Sequence, residues 1–215
     1  MRLVTSDWSF EPWVVASLAV AVVWYCIGLH RIRRRVGSGR IARIDAVAAF
    51  AAGIGVLVIA LLSPVDSIGE QLFSVHMVQH LLLMMVAAPL LAWSRPTLVF
   101  VWAFPLRGRK GVGRAWTGAG LRGAMRGIMH PLPVWLLFTG SFIFWHFPRP
   151  YGWALANEWV HAAEHLSFFV TALMFWTIVF EPATSRRLSY GATLVFVSTN
   201  AILSGLPGAL MILAP

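Results

Sequence analysis

The residues best suited to chemistry in this sequence are two pairs of histidines, His76 with His80 and His161 with His165. Each pair lies at the start of a long apolar run. Side chains four positions apart lie on one face of an α-helix, one turn above the other. Imidazoles are costly inside a bilayer, so two such pairs need a common explanation. Because neutral imidazole is a frequent ligand of transition metals, the spacing predicts a metal-binding site.

Further candidate ligands lie close to these pairs. His146 ends another apolar run, and Glu164 precedes His165 directly. We expect His146 to complete the site and Glu164 to act as an extra ligand or to orient an imidazole. Imidazole with thioether suits copper, whereas imidazole with carboxylate equally suits zinc or iron. The other candidates for an extra ligand or a supporting contact are Asp66, Met77, Met84 and Tyr151.

A simpler explanation applies to each of these residues taken singly. An isolated interfacial histidine is usually a hydrogen-bonded amphipathic side chain. Met84 and Met85 are expected to face lipid or to fill the core. Two spaced pairs on separate helices are much harder to explain in this way, so a metal site is the preferred interpretation of the set.

Composition predicts a helical membrane protein. Of the 215 residues, 59% are hydrophobic and only 12% are charged, which is too apolar for an ordinary soluble domain. The formal net charge is +9, but the cations fall between the apolar runs. This pattern indicates membrane topology and anionic lipid rather than nucleic acid. The single cysteine, Cys26, excludes a disulfide framework and a thiolate metal cage within one chain.

Six segments are long and apolar enough to cross a membrane as helices. Acidic residues precede the first run and no small-residue cleavage site follows it, so we expect the first span to be retained. The predicted fold is all-α: a polytopic transmembrane helix bundle with about six spans, forming one domain over residues 1–215. The predicted spans are 12–29, 45–62, 72–93, 132–147, 159–180 and 190–213, with a basic cytoplasmic loop at 94–131.

The basic residues predict the orientation of the bundle. Of the 17 Lys and Arg residues, all but Arg2 and Arg149 fall in the first, third and fifth connections. By the positive-inside rule, the N-terminus is outside and these connections are cytoplasmic. The third and fifth spans then both run inward, so both histidine pairs and His146 lie in the outer leaflet. The basic residues in question are Arg31, Arg33, Arg34, Arg35, Arg40, Arg43, Arg95, Arg107, Arg109, Lys110, Arg114, Arg122, Arg126, Arg186 and Arg187.

Three features within the spans predict structural roles. Small residues four apart in the second span, such as Ala49 and Gly53, allow close helix packing. Pro89 lies inside the third span and should distort it below the histidines. Ser198, Thr199 and Asn200 place polar groups in the sixth span, where such groups usually bind neighbouring helices.

Five short runs form a combination typical of one family. They are SP at Ser63, FSVHMVQHLLL at Phe73, AAPLL at Ala87, WHFPRPY at Trp145 and HAAEH at His161. Together they resemble the polytopic cytochrome c oxidase assembly factor family of the CtaG type. The resemblance implies a multi-pass protein of the bacterial plasma membrane, needed to mature a haem-copper oxidase and with a part in delivering copper. Family members carry a further apolar segment after the sixth span, so this sequence is expected to be shortened or a short variant.

We interpret the chain as an assembly factor or metallochaperone rather than an enzyme, with a copper site facing the outer side. The expected partners are haem-copper oxidase subunits, a periplasmic or extracellular copper donor, and anionic lipids. Two other classes stay open. One is a membrane metalloenzyme with zinc or a di-iron pair near the lipid headgroups and Glu164 as general base. The other is a haem-binding protein with two histidines as axial ligands. Metal identity, the number of ions and the oligomeric state also stay open, a homodimer being one alternative.

Overall fold

A computed structural model describes residues 8–36, 43–69, 71–118, 121–180 and 188–213. Within these ranges all regular elements are helices. Four basic residues used to predict the orientation, Arg2, Arg40, Arg186 and Arg187, lie outside the described ranges. In chain order the elements are α1 (Pro12–Val36), α2 (Ile44–Leu62), α3 (Pro64–Gly69), α4 (Phe73–Leu81), a π-helical segment (Leu82–Ala87), α5 (Ala88–Ser94), α6 (Pro96–Ala103), α7 (Leu106–Gly118), α8 (Leu121–Ile128), α9 (Pro131–Trp145), α10 (Pro148–Ala156), α11 (Glu158–Phe180) and α12 (Tyr190–Leu213).

The helices confirm an all-α membrane protein. In the described part of the chain, four stretches are long and apolar enough to cross a membrane: Pro12–Arg35, Ile44–Leu62, Phe73–Ser94 and Glu158–Phe180. Arg122–Ile128 and Pro131–Trp145, bent by 61°, add a fifth if they form one broken span. The 24-residue α12 occupies the position of the predicted sixth span. The predicted loop at 94–131 is largely helical, and the orientation of the N-terminus stays a prediction.

The chain divides into two compact units, Met1–Ala124 and Met125–Pro215. In the first unit, α1 packs against α6. Gly28 makes this contact close, because a Cβ atom at that position would lie 2.0 Å from the carbonyl oxygen of Val99. The Trp24 indole donates a hydrogen bond to the Phe100 carbonyl at 3.2 Å, and Arg31 donates to the Ala103 carbonyl. These contacts fix α6 along the second half of α1.

Of the small residues in α2, one pair, Ala49 and Gly53, has the predicted packing role, and Gly53 faces α5. Ala49 and Gly53 are buried, and a Cβ atom on Gly53 would lie 2.7 Å from Cγ of Leu91. Gly55, on another face, would meet nothing within 4 Å. The absence of side-chain bulk on one face therefore lets the two helices approach closely.

The distortion expected at Pro89 takes the form of a π-helical segment. In residues Leu82–Ala87 the helix is wound more loosely, and the Ala88 N–H donates to the Leu83 carbonyl five residues earlier. Pro89 lacks an N–H and its ring disfavours regular α-helix in the turn before it, which accounts for the position of the segment. Such segments often accompany functional sites, and this one begins two residues after His80.

In the second unit, α9 packs against both α11 and α12. Asn200 donates a hydrogen bond to Thr139 Oγ1 at 2.7 Å, and the Trp135 indole donates to Thr199 Oγ1 at 3.1 Å. The predicted binding role of Thr199 and Asn200 is thus confirmed. These bonds link α12 to α9 through side chains that would otherwise lack partners in hydrocarbon.

Candidate functional site

The first histidine pair lies in α4, with His76 in its first half and His80 next to its last residue. The ring centroids of His76 and His80 are 4.2 Å apart, and one ring nitrogen of each lies within 4.8 Å of the other. His76 is 7% exposed and His80 only 1% exposed. The predicted i, i+4 geometry is therefore present, and two buried imidazoles offer nitrogen atoms to one ligand.

A polar network supports this end of α4. The Gln79 side-chain amide donates to the Ala60 carbonyl at 2.8 Å and to Asp66 Oδ1 at 2.7 Å. Asp66 Oδ2 accepts a hydrogen bond from the Ser9 hydroxyl at 2.8 Å. Asp66 is thus a supporting residue for α4, acting through Gln79, which sequence reasoning did not single out.

The second pair lies near the start of α11. Asn157 caps this helix, because its Oδ1 accepts hydrogen bonds from the Trp159 and Val160 N–H groups. The ring centroids of His161 and His165 are 4.2 Å apart, and one ring nitrogen of each lies within 4.8 Å of the other. The second unit therefore repeats the arrangement of the first.

Glu164 is a deeply buried carboxylate between these two histidines in sequence. It is 2% exposed, and among the described residues its Oε2 has no hydrogen-bond partner. Its turn of α11 is held by Ser167, which donates to the Glu164 carbonyl at 2.8 Å. Ser167 Oγ also accepts from the Trp145 indole at 2.8 Å and lies 3.1 Å from the Ser141 hydroxyl. Ser167 therefore fixes α11 to α9 one turn beyond Glu164.

His146 and Tyr151 lie in the same unit as the second pair. The Nδ1 atom of His146 lies 2.7 Å from the Phe142 carbonyl, and since that oxygen only accepts, Nδ1 carries the proton. Nε2 is then the nitrogen through which His146 can bind a metal. Tyr151, in α10, is half-buried. Burial raises the pKa of its phenol, and the Glu164 charge adds to the rise.

The methionine candidates differ in burial. Met84, in the π-helical segment, is 1% exposed, and Met85 beside it is 42% exposed. Met77 is half-buried in α4. Met85 is thus placed as an exposed residue of a membrane helix, and Met84 is part of the core. Both positions agree with the packing roles expected from the sequence.

The comparison with known families shows which family this chain belongs to. The family described as cytochrome c oxidase caa3 assembly factor (Caa3_CtaG) matches residues 23–215. The chain belongs to this family. The match includes both histidine pairs, Glu164 and the close contact between α1 and α6, and it confirms the resemblance predicted from the five sequence runs.

Curated relatives of this caa3 assembly factor family member are longer proteins. It is 28% identical over 191 residues to uncharacterized proteins of Mycobacterium bovis and Mycobacterium tuberculosis, an alignment covering 87% of this chain. An uncharacterized protein of Mycobacterium leprae is 26% identical over 187 residues, covering 85% of the chain. The aligned part spans 28% of the length of each relative. No solved structure matches.

The sequence predicted the paired histidines of this family member. It did not predict Gln79 and Ser167, whose hydrogen bonds fix the helices that carry those histidines. Gln79 and Ser167 are common uncharged polar residues in apolar runs, and nothing in their spacing distinguishes them from interhelical contacts elsewhere. The sequence offered only a weak indication of these two residues. Each is a polar residue that lies on the same helix face as a paired histidine or about one turn beyond it. Each unit on its own offers two imidazole nitrogens from one helix face, which is half of a four-coordinate metal site.

Proposed function

We propose that this caa3 assembly factor family member binds copper through His76, His80, His161 and His165 and passes it on during oxidase assembly. The observation that carries the proposal is that each unit holds two imidazoles one helical turn apart, with nitrogens within 4.8 Å of each other. Each pair supplies two nitrogen ligands, and imidazole nitrogen suits copper.

Nearby groups support binding of a cation. A buried carboxylate needs hydrogen bonds or a positive charge, and the buried Oε2 atom of Glu164 has no hydrogen-bond partner among the described residues. A metal ion would supply that charge, either directly or through an imidazole oriented by Glu164. His146 is the candidate fifth ligand through Nε2. Asp66, Met77, Met84 and Tyr151 are proposed to tune or support the site.

The proposal includes a location and partners. The N-terminus lies outside a bacterial plasma membrane, so that copper arrives from a periplasmic or extracellular donor and leaves to oxidase subunits. Support comes from the asymmetry of the basic residues. Anionic lipids would bind α7, which has no buried residues and carries Arg107, Arg109, Lys110 and Arg114.

Element-resolved mass spectrometry of the purified protein tests the metal assignment. Protein from copper-supplemented cells is expected to carry copper in a stoichiometric amount, because buried paired imidazoles suit copper. Cells lacking the protein should accumulate caa3 oxidase depleted in copper. Zinc or iron in place of copper would contradict the proposal and favour a metalloenzyme. In that case Glu164→Gln should abolish turnover.

Copper affinity is expected to fall as the pH falls below about 6, because imidazole binds metal only in its neutral form and its ordinary pKa is about 6.5. Protons and copper compete for the same nitrogens, so each histidine that must lose a proton weakens apparent binding roughly tenfold per pH unit in the acid range. Titration with Cu²⁺ at pH 5.5 and 7.5 measures the difference. Equal affinity at both values would exclude imidazole as the main ligand.

A further inference from the structure

Gln79 lies between the two histidines of the first pair in sequence and bonds two neighbouring elements. It is completely buried and lies on the same helix face as His76, three residues earlier, and directly before His80. Its amide nitrogen donates two hydrogen bonds, to the Ala60 carbonyl at 2.8 Å and to Asp66 Oδ1 at 2.7 Å. These partners come from the end of α2 and from α3, so one side chain joins α4 to both elements.

The network extends beyond these two bonds. Asp66 Oδ2 accepts from the Ser9 hydroxyl at 2.8 Å, and the Ser9 N–H donates to the Leu62 carbonyl at 3.1 Å. Gly69, the last residue of α3, lies so close that a Cβ atom there would be 3.3 Å from Gln79 Oε1 and 3.5 Å from Cα of His76. Ser9, before α1, thus links Asp66 to the end of α2, and two residues of α3, Asp66 and Gly69, lie against Gln79.

We infer that Gln79 is a positioning residue for metal binding: it sets the rotation of α4 about its axis and thereby the direction in which His76 and His80 point. The inference rests on the proposed function. α4 is only nine residues long, begins after an extended residue at Leu72 and continues into the π-helical segment. The two hydrogen bonds of the buried Gln79 amide hold this end of the Phe73–Ser94 helix against α2 and α3.

The substitution Gln79→Glu tests this role. It replaces the donating amide by a carboxylate next to Asp66, so that both bonds are lost and two negative charges face each other. Supporting contacts of metal ligands are commonly worth 10- to 100-fold in affinity, so Cu²⁺ binding by the full chain in detergent should weaken by about that factor. The electron paramagnetic resonance spectrum at saturating Cu²⁺ should also change. Loss of stability alone would leave that spectrum as in the wild type.

Two further variants make the test specific. Gln71→Glu is the same substitution at an exposed position, where the side chain donates to the Ser67 carbonyl, and it should leave affinity and spectrum unchanged. Asp66→Asn combined with Gln79→Glu restores a donor and an acceptor between positions 66 and 79. This double variant should recover at least part of the lost affinity and the wild-type spectrum. If Gln79→Glu alone fails to fold, the affinity and spectrum of this double variant provide the test instead.

The outcomes separate this inference from the proposed function. A wild-type protein that binds no Cu²⁺ would overturn the proposed function, and the inference with it. A wild-type protein that binds Cu²⁺ while Gln79→Glu shows the same affinity and spectrum would overturn the inference alone. A double variant with no recovery would also overturn it, because the hydrogen bond between positions 66 and 79 would then have no effect on the site.

Discussion

Replacing either His80 or His165 by alanine is expected to remove at least about half of the copper from the purified protein. Each substitution deletes one imidazole from a buried pair, so the ion bound there loses one of its nitrogen ligands. Loss of a supporting contact already costs a metal site 10- to 100-fold, so loss of a ligand should weaken binding by at least about 100-fold. Competition for Cu²⁺ with a chromophoric chelator measures the affinity, and mass spectrometry measures the stoichiometry.

The same variants decide whether the two pairs bind one ion or two. If both pairs share one ion, either single substitution abolishes binding and the double variant is no worse, because the effects of residues acting on one ion are not additive. If each pair binds separately, each single substitution removes half of the copper. Unchanged stoichiometry and affinity in both single variants would exclude these residues as ligands.

The exposed histidines provide the matched controls. His30 and His130 carry the same side chain but are exposed, and neither is part of a spaced pair. Alanine at these positions should leave copper affinity within about twofold of the wild type, the range typical of surface substitutions away from a site. Loss of copper in His30→Ala or His130→Ala would indicate binding at solvent-exposed imidazoles rather than at the paired ones.

The sequence was sufficient to predict features that depend on neighbouring residues. Hydropathy over about 20 residues identifies a span because that length crosses the hydrocarbon core. The spacing of His76 and His80 predicts a shared face because helix geometry is fixed. The structure confirms both features, with α1 continuing to Val36 rather than ending near residue 29.

Features that depend on which helices pack together could not be predicted in this way. Gln79 bonds Ala60 and Asp66 across 19 and 13 positions, and Gly28 meets Val99 on a helix that hydropathy alone would leave unassigned. Nothing in the neighbouring sequence of a buried glutamine, or of a glycine in an apolar run, indicates which distant residues it contacts. The π-helical segment is an intermediate case, since Pro89 predicted a distortion but not its form.

Gly28→Ala is expected to destabilise the first unit strongly, although it adds only one methyl group. The added Cβ would lie 2.0 Å from the Val99 carbonyl oxygen and 2.9 Å from the Val99 carbonyl carbon. Because these are backbone atoms of α6, no side-chain rotation relieves the overlap and the two helices must separate. Overpacking of this kind costs about 3 kcal/mol. Separation would also weaken the bonds from Trp24 and Arg31 to the α6 carbonyls.

Gly55→Ala is the matched control for this effect, and its expected sign is opposite. A Cβ atom at Gly55 would meet nothing within 4 Å, and alanine is favoured over glycine inside a helix by up to about 1 kcal/mol. Thermal unfolding in detergent, followed by circular dichroism, should therefore give a much lower midpoint for Gly28→Ala and an unchanged or higher midpoint for Gly55→Ala. Equal midpoints for the two variants would contradict the packing of α1 on α6. The smallest possible side chain at position 28 is enough to separate the helices, because the atoms in its way belong to the α6 backbone.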